Sequence, residues 1–144
     1  MAVSPSPAGS SAAASPPHSF ALMVLGGSAS QAQQSALNFA RAAIAGGHRV
    51  LRVFFFGEGV AAGNAQAVPS PDTTGLAVQW AALAAKHGVD LVLCSTSAVR
   101  RGVLDGGEAR RHDRAVSIAP GFEIAGLAQW VEGCLLADRV LTFG

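Results

Sequence analysis

The run Val89-Asp90-Leu91-Val92-Leu93-Cys94 ends on a thiol and turns at once into Ser95-Thr96-Ser97 and then the pair Arg100-Arg101. In a sheet of parallel strands, ligands and reacting groups gather at the carboxyl edge, because the following loops and helix starts converge there. A cysteine at that edge is placed for nucleophilic chemistry. Helix-start amides and guanidinium charge both favour thiolate over thiol, and the thiolate is the reactive form. Free cysteine is also among the most buried residue types, so plain packing of Cys94 is the competing reading. Arg100 and Arg101 divide in the same way: they support an anion or the Cys94 thiolate, or they are ordinary solvated charge.

The remaining reactive residue types form no second constellation. Cys134 falls seven residues after Leu127 and three after Val131, a helical spacing that predicts a buried, structural thiol among Leu127, Val131 and Leu135. With one cysteine at the edge, Cys-x-x-Cys redox cycling is unsupported. His18, His48, His87 and His112 show no metal-ligand spacing, so no metal is expected. No carboxylate pair stands out for acid/base work, while a Cys-His pair formed only in space stays open. The turn Gly26-Gly27-Ser28 lacks both the spaced glycines of a dinucleotide site and the Gly-Lys-Ser/Thr of a phosphate loop, and no cofactor is expected there.

These residues need a frame to position them, and the chain alternates short apolar strands with helices. Phe20–Leu25 reads as a fully buried first strand, Gln31–Ala45 as a helix stopped by Gly46-Gly47, and Arg49–Phe56 as a second strand. A long, unpatterned segment from Glu58 to Asp72, with Pro69 and Pro71, reads as a loop at the same edge as Cys94, where it would shield that thiol. Thr73–His87 is a second helix with Trp80 on its core side, Leu91–Cys94 a third strand, and a short helix lies around Glu108. Ile124–Leu136 is the last helix and Asp138–Phe143 the last strand. This alternation predicts an α/β fold: a single-domain, parallel or mostly parallel sheet with helices on both faces and right-handed crossovers. Phe20–Leu25 and Leu91–Cys94 belong among its central strands.

At 144 residues the chain has room for one domain. Residues 1–19, rich in Ala, Ser and Pro, read as a disordered tail before a domain over residues 20–144. The net charge is +1, ten basic against nine acidic side chains, which gives no electrostatic footprint for direct nucleic-acid or anionic-membrane binding. No apolar run reaches the roughly eighteen residues of a membrane span. Only 13% of residues are charged, against about one-quarter in ordinary soluble domains, so part of the surface is expected to be covered by other subunits. Two widely spaced cysteines fit a reducing, cytoplasmic context better than a disulfide framework.

Read together, several segments resemble the DsrE/TusD sulfur-relay subunits over Phe20 to Gly144. They are Phe20-Ala21-Leu22-Met23-Val24; Gly47-His48 leading to Val53-Phe54-Phe55-Phe56 and Glu58-Gly59-Val60; Pro71-Asp72 and Trp80; His87-Gly88-Val89 running to Leu93-Cys94; Arg100-Arg101-Gly102-Val103; Gly121-Phe122 with Gly126-Leu127; and Ala137-Asp138-Arg139-Val140. The resemblance implies a DsrE-like fold and a sulfurtransferase that carries sulfur as a persulfide on Cys94 without cofactor or metal. It further implies a cytoplasmic hetero-hexamer with sibling subunits of the DsrF/TusC and DsrH/TusB type, an upstream persulfide donor and a downstream acceptor protein. Family members serve either thiolation of tRNA wobble uridine or dissimilatory sulfur oxidation. The rival functions are a non-catalytic subunit with a packed Cys94, and a Cys-dependent redox or acyl-transfer enzyme, which would need a base beside that thiol.

Overall fold

A computed structural model describes residues 16–144. The expected tail lies outside the described residues for positions 1–15, and Ser19, its last position, already belongs to the first strand. Five strands, β1 (Ser19–Val24), β2 (Arg49–Phe55), β3 (Asp90–Cys94), β4 (Phe122–Ala125) and β5 (Arg139–Phe143), form one sheet in the order β4-β3-β2-β1-β5. Every adjacent pair is parallel. The helices are α1 (Gln31–Ala45), α2 (Leu76–His87), α3 (Ser95–Arg100), α4 (Gly106–His112) and α5 (Leu127–Leu136). The expected α/β class and the interior placing of the first and third strands are both present.

Local signals explain the main boundaries. Ser30 caps α1 by accepting from the Ala32 amide at 3.1 Å, and Gly46-Gly47 ends it with Gly47 at φ 87°. Gly88 closes α2 in the left-handed conformation, which lacks a Cβ penalty there. α2 starts at Leu76, three residues later than its spacing predicts, because Gly75 takes the cap position in extended backbone.

Two expectations are corrected. The segment after β2 is not an unpatterned loop from its start: Gly57–Gly63 forms a 3-10 helix that buries Val60 and Ala62, and Asn64 then bridges to Ile118. Ile124 and Ala125 belong to β4 and not to the last helix, which begins at Leu127. A four-residue strand running into an apolar helix after one glycine leaves no change of period to mark the boundary.

Chain direction decides which face each helix covers. From β1 to β4 the strands step one way across the sheet, and right-handed crossovers lay the connecting helices on one face. The β4-to-β5 connection steps back across the whole sheet, so the same handedness puts α5 on the opposite face. The first face carries the main core, with Leu22, Val24, Val53, Phe55, Leu91 and Leu93 packed under α1 and α2. Trp80 is fully buried there with its ring edge-on to Phe55 at 5.5 Å, and each such large apolar side chain contributes about 1.5–3 kcal/mol. The second face, covered among the described residues by α5 alone, holds the smaller cluster Phe54, Val92 and Cys94.

Candidate functional site

Cys94 is the last residue of β3, and α3 begins at the next residue, so the thiol sits at the carboxyl edge as its sequence position predicts. Strand alternation places it on the same face as Val92, and the register Phe54↔Val92 puts Phe54 beside them. Cys94 is 4% exposed. Partly buried Met23, Phe56, Ala125 and Trp130 pack against this cluster. The side chains packed on this cluster are apolar, while the register Val92↔Glu123 puts the exposed Glu123 carboxylate on the same sheet face, one strand over and two residues back from Cys94.

The two arginines and the helix start beside Cys94 are placed differently from one another. Although Cys94 occupies the N-cap of α3, its side chain accepts no capping hydrogen bond. Arg101 is committed elsewhere: its guanidinium pairs with Glu58 at 3.2 Å and donates to the Ser97 carbonyl at 3.3 Å. Arg100 is exposed on the last turn of α3. Ser97 instead acts structurally, its Oγ accepting from the Gly57 amide at 2.9 Å and tying α3 to the segment after β2. The shield over Cys94 also differs from expectation. The 3-10 helix packs with the main core through Val60, whereas the side chains over Cys94 come from the strand ends and α5.

The core side of α5 carries Trp130 and Gly133, not the leucine stripe. Leu127, Val131 and Leu135 are 51%, 54% and 82% exposed, and Cys134 is half-buried beside them, which corrects the expected burial of that thiol. Helical spacing shows that residues share a side, not which side meets the sheet. Leu127, Val131 and Leu135, spaced four residues apart, make an exposed apolar ridge along α5; Val140 and Leu141 of β5 are exposed too, on opposite faces of the sheet. Contiguous apolar surface of this kind marks protein–protein contact.

Arg52 and Trp130 are functional candidates that sequence reasoning missed. Arg52 is 8% exposed in the middle of β2; one Nη donates to the Gln129 carbonyl at 2.6 Å, and the other pairs with Asp90 at 3.1 Å and Glu132 at 3.4 Å. The available signal was a charged residue inside an apolar strand. Among the described residues no cluster of three or more His, Cys, Asp or Glu is arranged for a metal, and no helix is long and apolar enough to cross a membrane. His48 accepts from the His18 amide at 2.9 Å, and His112 contacts Glu108 at 3.3 Å. A cavity of about 1200 Å³ lies between the start of α2 and the segment after the 3-10 helix, lined by residues including Pro69, Leu76 and Pro120, and does not include Cys94.

Comparison with known proteins places this geometry. Residues 18–143 match the DsrE/DsrF-like family. The chain is 43% identical over 115 residues to the DsrE protein of Allochromatium vinosum, covering 79% of this chain and 88% of that one. It is 38% identical over 126 residues to the sulfurtransferase TusD homolog of Pseudomonas aeruginosa, covering 87% and 96%. With the sulfurtransferase TusD of Serratia proteamaculans it shares 40% over 114 residues, covering 78% and 88%. The crystal structure of the ychN protein from E. coli superposes with a TM-score of 0.70 at 22% identity, covering 88% of this chain and 99% of that one, a likeness of fold.

Proposed function

The chain belongs to the DsrE/DsrF-like family, and from that premise we propose that it is a sulfurtransferase carrying sulfane sulfur as a persulfide on Cys94. The observation that carries this reading is the position of Cys94, a free thiol closing β3 at the carboxyl edge, in a chain whose relatives include proteins named as sulfurtransferases. The Cys94 thiolate attacks the terminal sulfur of a donor persulfide. The new Sγ–S bond forms as the donor S–S bond breaks, the donor leaves as its thiolate, and the proton stays on the transferred sulfur. A downstream thiolate then repeats the step on Cys94. No oxidant, second cysteine or metal enters the balance, and exchange depends on thiolate fraction and access.

The exposed apolar ridge on α5 supports work as one subunit of a relay complex, with siblings of the DsrF/TusC and DsrH/TusB type and protein donor and acceptor partners. Two free cysteines suit a cytoplasmic setting. Relatives named DsrE and TusD match at similar identity, so both tRNA thiolation and sulfur oxidation remain as the destination.

A second reading is favoured by the burial of the thiol: Cys94 is a packing residue of a non-catalytic subunit. Intact-mass analysis after incubation with a persulfide donor separates the two. Wild type and Cys134→Ser gain one sulfur and Cys94→Ser gains none; uptake by Cys94→Ser, or none by the assembled wild type, establishes the packed-cysteine reading instead.

A further inference from the structure

We infer that Trp130 is a specificity-determining cover of the Cys94 thiol, and that Arg52 is the positioning residue that holds it there; this rests on Cys94 being the reacting group. Of the four side chains packed around the Phe54-Val92-Cys94 cluster, Met23, Phe56 and Ala125 come from the strands or their ends. Trp130 alone comes from the helix above the sheet. Its ring lies 6.0 Å from that of Phe54, tilted by 41°. Among the described residues α5 is the one helix on this face, and no other closes the cluster from above.

The grip on that helix is specific. Arg52 stands two residues before Phe54 on the same face of β2 and donates to the carbonyl of Gln129, the residue before Trp130. Its other Nη reaches Asp90 on β3 and Glu132 on α5, so one guanidinium joins two strands to the helix. Gly133 of α5 faces the same guanidinium stem: a Cβ there would stand 3.4 Å from Arg52 Cδ, an ordinary contact. Arg52 Nε is buried without a partner, so this cation is incompletely satisfied, and an apolar side chain would avoid that desolvation cost. Its return is the fixed height and rotation of α5, hence the place of the indole.

A thiol 4% exposed, in a cluster that an indole packs against, admits reagents by shape. The slender terminal sulfur of a persulfide passes where a bulky electrophile does not. The cover thus favours slender reagents such as a persulfide's terminal sulfur and protects the loaded persulfide from bulky stray thiols.

The test is alkylation of Cys94 in the folded protein, followed by intact mass in a Cys134→Ser background. Iodoacetamide serves as the small reagent and pyrenylmaleimide as the bulky one. Trp130→Ala should raise the bulky rate about tenfold relative to the small one, with Trp130→Phe largely restoring the wild-type ratio. Arg52→Met should shift the ratio the same way and Arg52→Lys less. Melting curves on every variant confine the comparison to temperatures where the protein is folded. An unchanged ratio in both Trp130→Ala and Arg52→Met, or a rise of both rates in equal proportion, overturns the cover. Persulfide loading is read in parallel: a shifted ratio in protein that never takes up sulfur upholds the cover and overturns the carrier reading of Cys94.

Discussion

Glu58 and Arg101 meet at 3.2 Å across the carboxyl edge, joining the 3-10 helix after β2 to the end of α3. The pair turns the Arg101 guanidinium toward a carboxylate and away from the service of Cys94. Both side chains are well exposed, 72% and 36%, so the bridge contributes about 0–1 kcal/mol. Arg101→Ala is therefore expected to lower stability by less than about 1 kcal/mol and to leave the alkylation rate of Cys94 within about twofold. Urea unfolding and iodoacetamide kinetics check the two halves, and a rate loss near tenfold would restore Arg101 as support for the thiolate.

Arg52 behaves oppositely because it is buried. Arg52→Met leaves the Gln129 carbonyl without its donor and Asp90 and Glu132 without their cation, but both carboxylates are half-exposed and can rehydrate. The expected loss is about 1–3 kcal/mol, measured by denaturant midpoint.

Two glycines give contrasting outcomes on adding a methyl group. A Cβ at Gly59 would drive into the carbonyl oxygen of Val24, so the backbone must shift and Gly59→Ala should cost about 1–3 kcal/mol. At Gly133 the nearest atom stands at 3.4 Å, ordinary contact, and the helix gains propensity. Gly133→Ala should be neutral or stabilising by up to about 1 kcal/mol, read from thermal midpoints.

Asp138 links the starts of β5 and β1. Its Oδ2 accepts from the Ser19 amide at 2.8 Å and from the Ser19 hydroxyl at 3.1 Å, and these bonds hold its pKa below the ordinary aspartate value of 3.8. A depressed carboxylate pKa contributes stability that is present above the unfolded pKa and lost as pH falls through the folded one. The stability difference between wild type and Asp138→Asn should therefore be constant near neutral pH and shrink on acidification below about 3.8. Melting curves across that range decide it; a difference that grows on acidification would contradict the assigned direction.

The ridge of α5 is expected to act in assembly and not in folding. Leu135 is 82% exposed, so Leu135→Glu should change the stability of the isolated chain by less than about 0.5 kcal/mol. Sedimentation should show the same substitution weakening association, with itself or with sibling subunits; unchanged association would remove the ridge from the interface.

The sequence by itself determined the layered α/β plan, since strands such as Leu91–Cys94 and helices such as Gln31–Ala45 announce themselves by run length, periodicity and flanking glycine. It also determined that Cys94 lies at a strand's carboxyl end, because the apolar run stops there and polar residues follow. Strand order and side-chain parity were decided only by the tertiary structure. The return of the chain from β4 to β5 puts α5 on the face that Cys94 shares with Phe54 and Val92, and so packs Trp130 against that cluster. The same return turns Leu127, Val131 and Leu135 outward and leaves Cys134 half-buried, though local spacing groups them as a core stripe. A helix apolar around most of its circumference carries no local mark of which side meets the sheet. The long-range crossover fixes that side, and the Arg52 clamp holds it.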